Sequence, residues 1–188
     1  MSFRSFQPWC VGPMAYDLSQ LKFLLVDDNS TMLDIIRSIL SVFGVRGVRT
    51  ALDGETAIQM MRAFRPDVII TDYNMRPITG LEFTRWVRRS KASPNRQVGI
   101  IMTTGYSERP RVEAARDAGV SEFLVKPITP RGLYDRIVAV ATSDRPFIDT
   151  PRYVGPCRRR FDDPEYPGPF RRVTDKPLRD GDEIIEIG

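Results

Sequence analysis

The most informative absence from this 188-residue sequence is histidine, of which there is none. Without an imidazole, there can be no Ser-His-Asp or Cys-His nucleophile pair and no His-ligated zinc site. Any chemistry must therefore use carboxylates, hydroxyls, lysine or a bound metal ion. No apolar run reaches the about 18 residues that a membrane helix requires, so we expect no insertion into a membrane.

Cysteine is also scarce, since Cys10 and Cys157 are the only two. Both lie in segments without regular patterning, so we expect no disulfide and a reducing, cytoplasmic location. The amino terminus has no continuous apolar signal core, so secretion is not expected. The formal charge of +4 permits acidic partners but does not require nucleic acid.

What the sequence does contain is a fivefold alternation of short apolar runs and helical patterns. The runs are typical of strands buried on both faces, and they lie at about 21–27, 45–51, 67–72, 98–104 and 122–126. Helices are predicted at about 30–43, 54–64, 80–90, 109–118 and 130–141. Short links between them predict a doubly wound α/β domain, in which helices cover both faces of a five-stranded parallel sheet.

Segments of different character flank this pattern. Residues 1–18 are predicted to be a loose arm, in which Met14 is a candidate alternative start, and the folded domain is predicted at 19–142. Residues 143–188 are rich in proline and arginine and are predicted to be an extended, irregular tail. We also consider a short edge strand at 183–187.

The tail carries clustered arginines, namely Arg158, Arg159, Arg160, Arg171 and Arg172. Acidic residues alternate with them, which weakens an interpretation as a nucleic-acid site because phosphate affinity depends on net positive charge. An arm for a protein partner, or a segment that folds back on the domain, is the favoured interpretation.

The residues able to do chemistry stand at the carboxyl ends of the predicted strands. Asp27 and Asp28 follow the first strand, Asp72 the third, Thr104 the fourth and Lys126 the fifth. In a parallel sheet these ends meet at one edge. Adjacent carboxylates need a cation, and oxygen ligands suit Mg²⁺. The set predicts a phosphoryl-handling site in which a carboxylate is the nucleophile.

This set, with a proline after the lysine, resembles the receiver domain of bacterial two-component response regulators. The resemblance covers about residues 21–142 and is to the stand-alone, chemotaxis-regulator-like kind. It implies a flavodoxin-like sheet with strand order 2-1-3-4-5. It also implies that Asp72 accepts the phosphoryl group and is a ligand of Mg²⁺. Asp28 would bind the ion directly, and Asp27 would bind it through water or through a contact to one of its ligands.

Further roles follow from the same resemblance. The backbone carbonyl of Asn74 would bind the metal, and Lys126 would pair with Asp72 and then with the phosphoryl group, next to a cis bond to Pro127. Thr104 would move to bond the phosphoryl oxygen, although Thr103 is the alternative if the register differs. Phe123 matches the aromatic switch position.

The loop after the acceptor departs from the family pattern. Its proline is displaced by one residue, and Arg76 brings a cation to the rim of the site. Gly105 would leave the site open to a donor histidine or to water, and Tyr106 could shield the phosphoryl group.

The implied function is signalling rather than enzymatic turnover, apart from slow self-dephosphorylation. The implied partners are a sensor histidine kinase or histidine phosphotransfer protein and a downstream protein target. Three alternatives remain open: a Mg²⁺-dependent phosphatase with an Asp nucleophile, a regulator whose tail binds nucleic acid, and a constitutive scaffold that is not phosphorylated. The phosphatase is disfavoured by Asn74, which stands where that motif has a second aspartate.

Overall fold

Strands and helices alternate along the chain in the computed structural model, which describes residues 16–105 and 109–158. The elements are β1 (Lys22–Val26), α1 (Ser30–Val42), β2 (Gly47–Ala51), α2 (Gly54–Phe64), β3 (Val68–Asp72), α3 (Gly80–Arg89), β4 (Gly99–Thr104), α4 (Arg109–Ala118), β5 (Glu122–Val125), α5 (Pro130–Ala141), β6 (Phe147–Asp149) and β7 (Val154–Pro156). The predictions for residues 1–15, including Met14, and for Tyr106 and residues 159–188 lie outside the described residues. The prediction of a loose arm is wrong at its end, because Leu18 is 2% exposed and packs in a core cluster of the domain.

The first five strands form one parallel sheet in the order β2-β1-β3-β4-β5. This confirms the predicted doubly wound fold and its strand order. All ten predicted elements are present, and their bounds agree within two residues. No helix within the described ranges is long and apolar enough to cross a bilayer.

Alternate residues of the central strands fill two separate cores, one on each face of the sheet. On one face, Leu24 and Ile69 pack with the buried residues of α2 and α3. On the other face, Leu25 and Ile70 pack with those of α1 and α5. The central strands are buried on both sides, so their carboxyl ends meet in one layer and their polar end residues share a single edge.

Side-chain caps start the helices close to the strand ends. Asn29, Asp53 and Thr129 each accept a hydrogen bond from a backbone N–H in the first turn of α1, α2 and α5. Thr79 and Glu82 form a capping box at α3. These caps satisfy exposed N–H groups without extra residues and so keep the links short.

Gly80 lets α3 begin directly against the end of β3. A Cβ atom at this position would collide with the backbone carbonyl oxygen of Asp72. The glycine therefore sets how closely the third helix approaches the strand that carries the predicted phosphoryl acceptor.

Residues 143–158, which we call the C-terminal strap, contain regular structure that the sequence pattern did not predict. β6 and β7 pair in an antiparallel hairpin, with Ile148 opposite Gly155. The strands have three residues each, too few to show a two-residue period, and prolines lie at the turn and at the end of β7. The expectation of an irregular segment from residue 144 is therefore wrong for 147–156.

Gly80→Ala tests the close approach of α3 and β3. We expect the free energy of unfolding in urea to fall by about 1–3 kcal/mol, because the methyl group must displace backbone rather than a flexible side chain. Gly105→Ala is the matched control, since a Cβ there meets nothing within 4 Å. An equal change in both variants would contradict the packing described.

Candidate functional site

Four of the residues singled out in the sequence lie at the carboxyl edge of the parallel sheet. Asp27 follows β1, Asp72 ends β3, Thr104 ends β4 and Lys126 follows β5. The side chains of the first three are almost fully enclosed, with Asp27 2% exposed and Asp72 8% exposed. Burial of two carboxylates at one edge requires compensating positive charge nearby.

Lys126 supplies part of that charge by contacting both carboxylates at once. Its Nζ atom lies 2.7 Å from Oδ1 of Asp72 and 3.0 Å from Oδ2 of Asp27. The structure thus brings together three residues that span 99 positions in sequence. The backbone N–H of Lys126 donates to the carbonyl of Thr104 at 2.7 Å, which ties the lysine to the end of β4.

The second oxygen of Asp72 is also held, because it accepts a hydrogen bond from the backbone N–H of Asn74 at 2.6 Å. The Asn74 side chain is exposed. The carboxylate of Asp72 is therefore fixed between an ammonium group on one oxygen and a backbone amide on the other. The predicted use of the Asn74 carbonyl as a metal ligand stays a prediction.

The pKa values of Asp27 and of Lys126 are both raised, but for different reasons. Burial raises the pKa of Asp27, and this outweighs the opposing hydrogen bonds from the Asn29 N–H and Lys126. Burial acts to lower the pKa of Lys126, but its two carboxylate partners outweigh it, so the pKa of Lys126 is raised. The site therefore favours the charged form of Lys126, whereas the positive charge near Asp27 does not fully offset the burial of its carboxylate.

A second cation near Asp27 would stabilise the charged form of this buried carboxylate. The available donors are carboxylate oxygens, which suit a hard ion such as Mg²⁺. Asp28 is exposed at the rim, and no three or more acidic or cysteine side chains among the described residues are grouped to hold a metal. The site thus fits an ion that binds through one or two carboxylates and keeps several waters, as Mg²⁺ does.

The two adjacent threonines of β4 differ in environment. The Thr103 hydroxyl lies 3.5 Å from the carbonyl of Thr71, a long hydrogen bond directed back across the sheet. Thr104 is 1% exposed, and its carbonyl receives the Lys126 amide. Thr103 stands opposite Asp72 in the β3–β4 register, and Thr104 stands opposite Val125 in the β4–β5 register. The assignment of the phosphoryl-binding hydroxyl to Thr104 stays a prediction.

Phe123 is half-buried and packs against the core cluster on its face of the sheet. It lies opposite Met102 in the β4–β5 register. The ring is thus packed on one side and accessible on the other. Its role as a switch stays a prediction.

The rim residues are placed differently from one another. Arg76 is exposed, and no described residue approaches within 4 Å of the position that a Gly105 side chain would occupy. The Lys126–Pro127 bond is cis, as the resemblance implied, and the Arg76–Pro77 bond is cis as well.

One contact near the site was missed in the sequence. The guanidinium of Arg111, in the first turn of α4, lies 5.6 Å from the ring centre of Tyr73, directly after the acceptor. It connects the start of α4 to the acceptor strand by a cation–π contact. The only sequence signal was an aromatic residue beside Asp72, which gives no indication of its partner.

Arg158, the one member of the predicted arginine cluster within residues 16–105 and 109–158, lies away from this site. It pairs with Asp117 at 3.0 Å and stacks 4.0 Å above the ring centre of Tyr153. These contacts anchor the end of the C-terminal strap.

A family model for the response regulator receiver domain matches residues 23–138 of this chain. The match covers the parallel sheet and the residues at its carboxyl edge. The chain therefore belongs to the response regulator receiver domain family, the class of two-component signalling proteins that includes phosphoryl-accepting regulators of the CheY type. The C-terminal strap lies outside the matched range.

Individual relatives agree with this assignment. The chain is 35% identical over 117 residues to chemotaxis protein CheY of Pseudomonas aeruginosa, which covers 62% of this chain and 93% of that protein. It is 37% identical over 126 residues to chemotaxis protein CheY1 of Helicobacter pylori, which covers 66% of this chain and 100% of that protein.

Solved structures show the same fold. A Vibrio cholerae chemotaxis protein, CheY4, matches with a TM-score of 0.59 and 32% identity, over 64% of this chain and 98% of that one. The receiver domain of sensor histidine kinase PA1611 from Pseudomonas aeruginosa matches with a TM-score of 0.59 and 28% identity, over 65% and 98% respectively. The latter structure has a magnesium ion coordinated in its active-site cleft.

Lys126→Met tests whether the shared ammonium stabilises the folded site. We expect a loss of about 1–3 kcal/mol in the free energy of unfolding, because two buried carboxylates lose a common partner. Adding Asp27→Asn should recover part of the loss, since it removes the more buried charge. Lys91→Met, at an exposed lysine, is the control. A loss no larger than that of the control would contradict the account.

Proposed function

We propose that Asp72 is the phosphoryl acceptor of this receiver domain and that it is phosphorylated by a phosphohistidine on a sensor kinase or a phosphotransfer protein. The observation that carries the proposal is the fixed carboxylate of Asp72, held by Lys126 on one oxygen and by the Asn74 N–H on the other. A nucleophile oriented in this way requires little rearrangement before it reacts.

In the proposed step, an oxygen of the Asp72 carboxylate bonds to phosphorus while the P–N bond of the donor breaks. The bonding pair goes to the imidazole nitrogen, which leaves as imidazole after taking up a proton. The product is an acyl phosphate. The donor imidazole must come from the partner, because this chain contains no histidine.

Charge compensation explains the residues around the acceptor. Asp27, Asp28 and Asp72, with the carbonyl of Asn74, would hold Mg²⁺, which would stabilise charge on the transferring phosphoryl oxygens. The Nζ atom of Lys126 lies 2.7 Å from the Asp72 carboxylate, and the pKa of this lysine is raised, so it can pair with the phosphoryl group once the acyl phosphate forms. The Thr104 hydroxyl would bond a phosphoryl oxygen on the same edge.

Signalling would follow from a shift in the packing of this edge. We propose that Thr104 and Phe123 are the switch residues and that the change alters affinity for a downstream protein. Access through the open side at Gly105 would permit slow hydrolysis of the acyl phosphate, while Arg76 and Tyr106 at the rim would modify its lifetime. The proposed location is the cytoplasm.

The alternatives find no comparable support. A phosphatase of the kind considered needs a carboxylate two residues after the nucleophile, and Asn74 is an amide. Binding of nucleic acid by the arginine cluster of the tail gains no support from Arg158, whose guanidinium is engaged by Asp117 and Tyr153.

The role of Asp72 is tested by incubating the protein with acetyl phosphate and Mg²⁺ and then measuring the mass of the intact protein. We expect one added phosphoryl group of about 80 Da in the wild type and none in Asp72→Asn. Asp34→Asn, at an exposed aspartate of α1, is the control and should be modified like the wild type. Equal modification of Asp72→Asn and the wild type would remove Asp72 from its role.

Removal of divalent metal ions tests the proposed role of Mg²⁺ in phosphorylation. In excess EDTA, we expect the phosphorylated fraction to fall at least about tenfold, because a carboxylate nucleophile and a phosphoryl group then repel each other without compensation. Added Mg²⁺ should restore it, whereas Asp28→Asn should require more Mg²⁺ for the same fraction. Unchanged labelling in EDTA would show that Lys126 alone compensates the charge.

A further inference from the structure

The C-terminal strap covers one end of the receiver fold. Its hairpin packs against the ends of α3 and α4, where Tyr153 and Val154 are less than one tenth exposed. This is the opposite edge of the sheet from Asp72, because helices α3 and α4 end where strands β4 and β5 begin. The strap also lies beyond the family match at residues 23–138.

Contact between the strap and the loop after α4 is too close for a side chain. A Cβ at Gly119 would collide with the carbonyl oxygen of Val154, and a Cβ at Gly155 would lie 2.7 Å from the Cα of Gly119. Gly119 has a φ of +96°, which favours glycine independently of the contact. Two glycines thus allow the strap to rest directly on the backbone that leads into β5.

Beneath this contact lies Arg88, which is fully buried. Its guanidinium donates to the carbonyls of Gly119, Arg96 and Val98, at 2.9, 2.6 and 2.8 Å. Phe147 of the strap covers it, with the guanidinium carbon 5.7 Å from the ring centre. The strap therefore closes over a cation that binds together α3, the link before β4 and the link before β5.

Hydrogen bonds from surrounding arginines fasten the strap along its length. Arg96 makes two bonds to the carboxylate of Asp149, at 2.9 and 3.1 Å. Arg89 donates to the carbonyls of Pro151 and Arg152. These paired contacts hold the hairpin in one position.

The strap also reaches the first residue of β5 through Arg145. This side chain donates to the carbonyl of Ser121 at 2.8 Å and to the carboxylate of Glu122 at 3.3 Å. Glu122 is 6% exposed, and it also pairs with Arg136 of α5, at 3.1 Å. A buried carboxylate depends on such partners, so Arg145 fixes the starting point of the strand.

β5 is only four residues long, Glu122–Val125, and Lys126 follows it directly. We propose that the strap, acting through Arg145, holds the start of β5 and thereby positions Lys126 at the other end of the strand. Arg145 is then a positioning residue for the acceptor site. The importance of Lys126 itself rests on the function proposed above.

The test compares two arginines of the strap in the full-length protein. Arg145→Ala removes the bonds to Ser121 and Glu122. Arg152→Ala is the matched control, because the Arg152 side chain is exposed and has no partner among residues 16–105 and 109–158. Hydrogen exchange is read at the backbone amides of Ser121 and Lys126, which donate to Ile100 and Thr104. The reference is the backbone amide of Asp67, the residue before β3, which donates to the carbonyl of Lys22 in β1.

We expect Arg145→Ala to raise exchange on the order of tenfold at both Ser121 and Lys126, with Asp67 unchanged, since loss of a charged hydrogen bond has this effect. Arg145→Lys should restore part of the protection, and Arg152→Ala should behave as the wild type. A rise at Ser121 without one at Lys126 would overturn the positioning role. So would an equal rise at all three amides, because the strap would then stabilise the whole fold rather than β5.

A second readout relates the strap to phosphorylation. At equal acetyl phosphate, Arg145→Ala should show a smaller phosphorylated fraction than Arg152→Ala. The exchange measurement needs no phosphorylation, so it decides the positioning role even if Asp72 proves not to be the acceptor. If Lys126 exchanges faster in Arg145→Ala while phosphorylation matches the control, the position of Lys126 set by the strap does not matter for the reaction, and its positioning role at the site is refuted.

Discussion

The structure of the site depends on one ammonium group that two buried carboxylates share. Asp27 and Asp72 could not both be enclosed and charged without a cation, and Lys126 lies within 3.0 Å of each. This contact requires β1 and β3 to be neighbours and requires β5 to end at the same edge, which the order β2-β1-β3-β4-β5 provides. The strand order of the fold is therefore the condition under which the three side chains of the site can meet.

Much of this could be predicted from the sequence because the signals are local or periodic. β1 and β3 are apolar runs that meet acidic residues at their ends, and α1, α2, α3 and α5 each follow a capping residue. Convergence of Asp27, Asp72 and Lys126 followed from strand direction alone, since parallel strands end at one edge. The choice between Thr103 and Thr104 could not be made from periodicity, because both are buried at the end of β4 and their hydroxyls differ only in local contacts.

The C-terminal strap could not be predicted for three physical reasons. Its strands are too short for periodicity, its prolines are typical of irregular chain, and its stability comes from residues far away in sequence. Arg88 shows the last point most clearly: it lies near the end of α3, no sequence pattern marks it as a core residue, and it is fully buried. Burial lowers the pKa of Arg88 to about 10, and three backbone carbonyls compensate its charge instead of a carboxylate.

The shared ammonium can be observed directly by heteronuclear NMR of the lysine side chains. We expect the Lys126 Nζ resonance to belong to a slowly exchanging ammonium group and to shift in both Asp27→Asn and Asp72→Asn, because each substitution removes one of its two partners. A Lys126 resonance that matches those of exposed lysines such as Lys22 and Lys91, and that neither substitution moves, would contradict the account.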